Sequence, residues 1–239
     1  MELAGFSVDK AGIEEYGKAL SVRIDELEKT VWQEVGYEFN LNSPKQLGVA
    51  LFESLGLPCR KKTKSGYSTG AEVLEDLRSI HPAVDHLLQY RTLAKLKSTY
   101  CDGLLSQVAD DGRIHSTLNQ TETRTGRISS SEPNLQNIPV RRPEGREMRK
   151  LFRAKAGYVL CDADYSQIEL RVLAHIANDS NMINAFKNGI DIHTLTASQV
   201  FGVPVEGVTP TMRSRAKAVN FGIVYGIGAF SLAKDIGVK

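Results

Sequence analysis

Between residues 10 and 35, apolar side chains recur every three or four positions: Ile13, Tyr16, Leu20, Ile24, Leu27 and Val31. That period lays them along one face of an α-helix. At about 1.5 Å per residue such a helix runs to roughly 40 Å, and a stripe of that length has to be covered. Downstream, Asn42-Ser43-Pro44 offers a capped start for a shorter helix over 46–55. Residues 71–79 and 82–97 read as two further helices, joined to what precedes them by the polar, basic segment 61–70, expected as a flexible loop. Helices with a basic tip make an arm suited to reach a polyanion backbone.

From Cys101 the pattern changes. Residues 107–114 and 116–120, around Asp110-Asp111-Gly112, suggest strands. The segment 129–143 is rich in Ser, Asn and Pro and excludes a regular helix, while 158–163 reads as a short apolar strand. Helical period returns over 167–177, with Ile168, Val172, Leu173 and Ile176 on one face, and again over 181–201 and 211–235. No internal repeat interrupts this order. The fold class expected is α+β, with a helical arm at each end.

The 239 residues suffice for one large or two small domains, and 41% hydrophobic with 24% charged residues is ordinary for a globular chain. No apolar run has membrane-spanning length and Met1 opens no secretory pattern, so no membrane partner is expected and the cytosol is the default compartment. Cys59, Cys101 and Cys161 are widely spaced, which fits reduced thiols and argues against a zinc site. The net charge of +2 hides an asymmetry: residues 1–40 hold nine acids and four bases, and 141–155 hold seven bases and two acids. With Arg60, Lys61, Lys62 and Lys64, that clustering suits a phosphate backbone, although ordinary solvated surface has the same look.

Chemistry concentrates in three segments. Asp164 stands where an apolar run meets a helix, and Asp162 precedes it by two residues. From spacing alone these are either a metal-binding pair or acids capping an exposed strand end. In 213–226, Arg213, Lys217, Phe221 and Tyr225 recur every four residues and form one stripe on a helix. Two cations followed by two aromatics suit a ligand with a charged end and a flat end, such as a nucleoside triphosphate; a helix end with a basic patch is the plainer alternative. Gly222, Gly226 and Gly228 weaken that helix, each by about 1 kcal/mol relative to Ala. The third segment, TGRISSSEPNLQNIPVR (125–141), offers Arg127, Asn134, Gln136 and Asn137 on irregular backbone, able to bond phosphates, sugars and minor-groove acceptors.

Here the residues resemble a known family. DADYSQIELRVLAH (162–175) is similar to motif A of family A DNA polymerases, and RSRAKAVNFGIVYG (213–226) is similar to their motif B. The segment 125–141 resembles the family's primer–template-binding segment, and KLKSTY (95–100) and DIHT (191–194) match in order. The resemblance implies an incomplete right-hand fold: a lead-in helix and start of the palm over 1–40, thumb over 41–105, palm over 106–180 and fingers over 181–239. It implies primer–template DNA and deoxynucleoside triphosphates as partners and Mg2+ as cofactor. Asp164 and the backbone carbonyl of Tyr165 would bind the metal, and Asp162 would not. Gln167, Glu169, His193, Arg213, Lys217, Phe221 and Tyr225 would contact the nucleotide, with Glu169 as the gate against a 2′-hydroxyl. Lys61, Lys62, Lys64, Lys97, Ser98, Thr99, Arg127, Asn134, Gln136 and Asn137 would contact the DNA.

The family's third motif, a His-Asp-Glu that supplies a second metal-binding aspartate, has no counterpart among these residues. The expectation is therefore a fragment inactive by itself, completed by a C-terminal palm segment. A non-catalytic DNA-binding remnant or a subunit of a split polymerase is the alternative. Glu169 argues against a single-subunit RNA polymerase, which must leave room for the 2′-hydroxyl, and no G-x-x-x-x-G-K-[ST] supports a P-loop ATPase.

Overall fold

The computed structural model describes residues 1–59, 62–63, 66–140 and 142–236. The chain divides into two compact units, Met1–Cys161 and Asp162–Lys239.

In the first unit, β1 (Phe6–Ser7) leads into α1 (Lys10–Val35). Asp9 caps α1, its carboxylate accepting from the Gly12 N–H at 3.0 Å. Gly36, at φ 95°, ends the helix by donating its N–H to the Trp32 carbonyl at 2.7 Å, a left-handed conformation that glycine takes without steric cost. The expected stripe is buried: Ile13, Leu20 and Val31 are at most 1% exposed. α2 (Pro44–Val49) starts at Ser43, whose hydroxyl accepts from the Gln46 N–H, with Pro44 in the first turn. The chain then widens into a π-helical turn over Ala50–Ser54. In the expected loop, β2 (Lys62–Thr63) and β3 (Gly66–Tyr67) form a short antiparallel hairpin. Lys61 and Lys64 lie outside the described residues.

α3 (Ala71–Leu77) precedes α4 (Pro82–Leu96), which starts on the His81 Nδ1 cap and packs along α1. A second π-helical turn over Lys97–Asp102 carries the chain into α5 (Gly103–Leu105). Two core clusters result, one around Val31, Leu47, Leu51, Leu74 and Leu87, the other around Ile13, Leu20, Leu93, Leu104 and Met148. β4 (Arg113–Ile114) pairs antiparallel with β1, Phe6 opposite Ile114, and β5 (Thr117–Asn119) pairs with β6 (Ser129–Ser131). The two strands expected around Asp110-Asp111-Gly112 are thus shorter than their pattern, and their ladder partners lie elsewhere in the chain. α6 (Pro143–Arg149) follows the irregular segment.

One expected element is absent. Residues 158–163 form no strand, and Tyr158, Val159 and Leu160 are 71%, 88% and 59% exposed. A lone extended segment gains no ladder bonds, and among the described residues none pairs with it.

The second unit consists of α7 (Ile168–Ala177), α8 (Ser180–Lys187), α9 (Ile192–Phe201), a 3-10 turn at Val205–Gly207, α10 (Pro210–Val224) and α11 (Ala229–Ile236). The single helix expected over 181–201 is two, because Gly189 at φ 68° breaks the backbone and Asp191 caps a new start. The helix expected over 211–235 also divides. Gly226 is at φ 73°, and the Ile227 N–H returns to the Gly222 carbonyl at 2.8 Å. A Cβ on Gly222 would stand 2.6 Å from the Ile227 Cγ2, so the turn folds back onto space that only glycine leaves. No helix among the described residues is long and apolar enough to cross a membrane.

Replacing Leu87, fully buried in the first cluster, with alanine is expected to lower stability by about 2–5 kcal/mol. A urea unfolding series monitored by circular dichroism measures this as a fall in midpoint.

Candidate functional site

The four-residue stripe survives in three dimensions. Arg213 and Lys217 stand exposed on α10, Phe221 is half-buried, and Tyr225 lies one residue past the helix, where its N–H still reaches the Phe221 carbonyl at 2.9 Å. The Lys217 Nζ lies 5.9 Å from the Phe221 ring centre, and the Phe221 and Tyr225 rings lie 6.1 Å apart at an interplanar angle of 11°. The Tyr225 hydroxyl donates to the Glu169 Oε2 at 2.7 Å. Glu169 stands in the first turn of α7, so this bond joins the aromatic end of the stripe to the helix that follows Asp164.

At the cationic end, Asp191 gathers several donors. Its Oδ1 accepts from the Thr194 N–H at 2.8 Å, the Thr194 hydroxyl at 3.0 Å and the Arg213 Nε at 3.1 Å. Its Oδ2 accepts from the Arg213 Nη2 and the Gln167 Nε2, both at 2.8 Å. Partial burial would raise the Asp191 carboxyl, but the Arg213 guanidinium and the Thr194 donors outweigh it and hold it well below the usual carboxylate range. The same bonds push the Arg213 guanidinium up. Gln167 sits at φ 52°, and its Oε1 is buried with no hydrogen-bond partner among the described residues.

His193 is only 2% exposed, and its ring lies 5.5 Å from that of Phe221. The Asn220 Nδ2 lies 3.0 Å from the His193 Nδ1. An amide nitrogen can only donate, which places the proton of a neutral ring on Nε2. Burial lowers the His193 pKa, and the positive charges of Arg213 and Lys217 add to the effect against the opposing pull of Asp191.

Asp164 and Tyr165 are exposed on irregular backbone, as is Asp162. With no strand there, the two-residue spacing does not set both aspartates on one face. Among the described residues no group of three or more His, Cys, Asp or Glu could hold a metal ion.

In the first unit, Arg127, Asn134, Gln136 and Asn137 are all exposed. The loop that carries them is held by its own polar groups. The Ser116 and Ser130 hydroxyls meet at 2.7 Å, Ser130 accepts from the Leu135 N–H at 3.1 Å, and Asn134 accepts from the Gln136 N–H at 3.0 Å. Gln136 uses its side-chain amide to donate to the Ile128 carbonyl, and the Tyr100 hydroxyl donates to the Asn137 carbonyl. Behind it, Gly145 of α6 is so close that a Cβ would stand 2.6 Å from the Pro139 carbonyl oxygen. Gln136 and Asn137 line a cleft of about 980 Å³ together with Arg91, Lys95, Tyr100 and Arg142. Lys97, Ser98 and Thr99 lie on the π-helical turn, with Ser98 and Thr99 exposed and the Lys97 ammonium 2.7 Å from Asp102. The Lys62 side chain lies outside the described residues.

Sequence reasoning gave no individual role to Asp191, Asn220 or the cleft cations Arg91, Lys95 and Arg142, although Asp191 and Lys95 lie in the matched stretches 191–194 and 95–100. An Asp three residues before Thr194 is a helix-start signal, and Arg142 belongs to the basic run over 141–155. The tertiary contacts of Asn220 and Arg91 leave no mark on local pattern.

A model of DNA polymerase family A matches residues 10–239. DNA polymerase I of Caldicellulosiruptor bescii is 55% identical over 240 residues, covering 100% of this chain and 28% of that protein. The thermostable DNA polymerase I of Thermus thermophilus is 51% identical over 241 residues, covering 100% of this chain and 29% of that protein. Among solved structures, the POL domain of Pol1 from M. smegmatis, in complex with DNA primer-template and dNTP, superposes with a TM-score of 0.89 at 44% identity. It is covered to 42% by this chain, all of which is matched. The chain thus spans less than a third of the length of these curated relatives, and its helix-rich α+β architecture is part of a family A right-hand fold.

His193 generates a pH dependence of known sign. Its folded pKa lies below the ordinary value of about 6.5, so the unfolded chain takes up the proton first. His193 costs no stability above that pH, and the cost grows as pH falls through it, by no more than about 1.4 kcal/mol per unit. Denaturant midpoints between pH 7.5 and 5.5 are expected to fall less steeply in His193→Gln than in the unsubstituted chain.

Proposed function

The chain belongs to DNA polymerase family A, and from that premise we propose that it carries the nucleotide-selecting and primer–template-gripping part of a DNA-directed DNA polymerase. In that reaction a primer 3′-hydroxyl attacks the α-phosphate of a deoxynucleoside triphosphate and pyrophosphate leaves, in DNA replication and repair. The observation that carries this reading is the Tyr225–Glu169 hydrogen bond at the end of a stripe of two cations and two stacked rings. It joins a charged end, a flat end and a carboxylate beside the flat end, which together fit the phosphates, base and sugar of one ligand.

In this reading Arg213 and Lys217 attract the triphosphate, and Phe221 and Tyr225 offer their faces to the base pair being formed. Glu169 occupies the volume that a 2′-hydroxyl would need. Gln167 accepts from a nucleotide donor only if its buried Oε1 is uncovered. His193 reaches phosphate only if its ring is uncovered, since it is buried here. Arg127, Asn134, Gln136 and Asn137 meet the primer–template, with Lys97, Ser98, Thr99 and the basic tip Lys61, Lys62 and Lys64 on the duplex backbone. Support comes from the exposure of Arg127, Asn134, Gln136 and Asn137 and from the company of Lys95 and Arg142 in the cleft beside Gln136 and Asn137. The thumb, palm and fingers are assigned to 41–105, 106–180 and 181–239, and a DNA substrate puts the protein in the bacterial cytosol or nucleoid.

Divalent-metal use is general in this family, with magnesium the metal expected. Asp164 with the Tyr165 carbonyl is too small a donor set for a metal pair, which needs carboxylates from more than one segment, and the described residues contain no ligand cluster. That observation favours a second reading, a DNA-binding chain that completes catalysis only with a further palm segment. The 239-residue chain with magnesium is therefore expected to give no primer extension in a gel assay. Extension that Asp164→Ala abolishes would rule out the second reading.

The nucleotide-selecting role is tested at Glu169, in a polymerase of the relatives' full length that carries this segment. Glu169→Ala is expected to raise the ratio of ribo- to deoxyribonucleotide incorporation by orders of magnitude, with a melting temperature within a few degrees of the parent. Lower stability with an unchanged ratio would reduce Glu169 to a residue that favours the α7 N-terminus, an effect of about 0.3–1 kcal/mol.

A further inference from the structure

Asp191 accepts more hydrogen bonds than a helix cap requires. Capping α9 takes only the Thr194 N–H. The remaining bonds go to the Thr194 hydroxyl, to Gln167 before α7 and, as a fork, to Arg213 on α10. One carboxylate therefore ties together the starts of two helices and a side chain on a third. His193, the second residue of α9, follows directly from the cap.

The fork is one-sided. It engages the Nε and Nη2 of Arg213 and leaves Nη1 with no partner among the described residues, on a side chain that is 45% exposed. A guanidinium has five donors in a fixed plane, so holding one edge fixes where the other points. Pairing reduces the net charge that a phosphate feels, but water screens charge strongly at this exposure. A pre-set rotamer, by contrast, removes an ordering cost that a free arginine would meet when the anion arrives. The balance favours positioning over competition.

We propose that Asp191 is a positioning residue for triphosphate binding, which acts by holding Arg213 so that its free edge meets a phosphate oxygen. This rests on the nucleotide-selecting function proposed above. Asp191 itself does not touch the nucleotide. Its like charge keeps it behind the guanidinium, and its effect reaches the ligand only through Arg213.

The helix cap and the fork can be separated chemically. Asn caps a helix as well as Asp does, but it lacks the charge and the second carboxylate oxygen that the fork uses. Titrating the 239-residue chain with deoxyadenosine triphosphate and magnesium by calorimetry, Asp191→Asn is expected to weaken binding about tenfold. Its melting temperature should stay within a few degrees of the parent, whereas Asp191→Ala should lower it. On an Arg213→Ala background, Asp191→Asn should change affinity less than twofold, because its route to the ligand is gone. Unchanged or tighter binding by Asp191→Asn overturns the proposal, as does an equal loss on both backgrounds. If the unsubstituted chain binds no triphosphate, the nucleotide-selecting reading fails and this inference with it, a result distinct from the other two.

Discussion

The packing of α4 along α1 takes out of water the stripe formed by Ile13, Leu20 and Val31, and the rest of the first unit is arranged around that contact. Each such side chain contributes about 1.5–3 kcal/mol when fully buried. Leu87 and Leu93 on α4 belong to different clusters, so the helix pair is a spine with a core at each end. One core is closed by α2, α3 and the first π-helical turn. The other is closed by the second π-helical turn, α6 and the short strands. The exposed polar loop over 134–140 is thereby fastened to a rigid support through Tyr100 and Gly145.

The second unit works differently. Its buried cluster is small, around Leu170, Ala185 and Ile192, and polar bonds take a large share in fixing its geometry. Asp179 and Asp191 start two of its helices, and the Asp191–Arg213 and Glu169–Tyr225 pairs tie α10 to the segments before it. Bonds at such exposure are individually weak. They order side chains more than they hold the unit together.

Long periodic segments were legible from sequence: α1, α4 and α10 lie close to where their apolar or charged spacing put them, and α2 starts at the Ser43-Pro44 signal. The stripe from Arg213 to Tyr225 was legible for the same reason, since four-residue spacing translates directly into one helix face. What local pattern missed depended on partners. The run over 158–163 has strand composition but no strand to pair with among the described residues. The helices expected over 181–201 and 211–235 are cut at glycines whose left-handed φ is set by the chain folding back. The π-helical turns insert one extra residue per turn without any sequence mark. Asp191 was visible only as part of a motif, because the donors it collects come from residues 24 positions before it and 22 after it.

The unpaired run Tyr158-Val159-Leu160 has a consequence for how copies of the chain meet. It is apolar and exposed, and the charges around it are of opposite sign, Lys155 on one side and Asp162 and Asp164 on the other. Charged residues beside an apolar run keep it in water rather than against another copy, so these three guard a segment that no strand among the described residues covers.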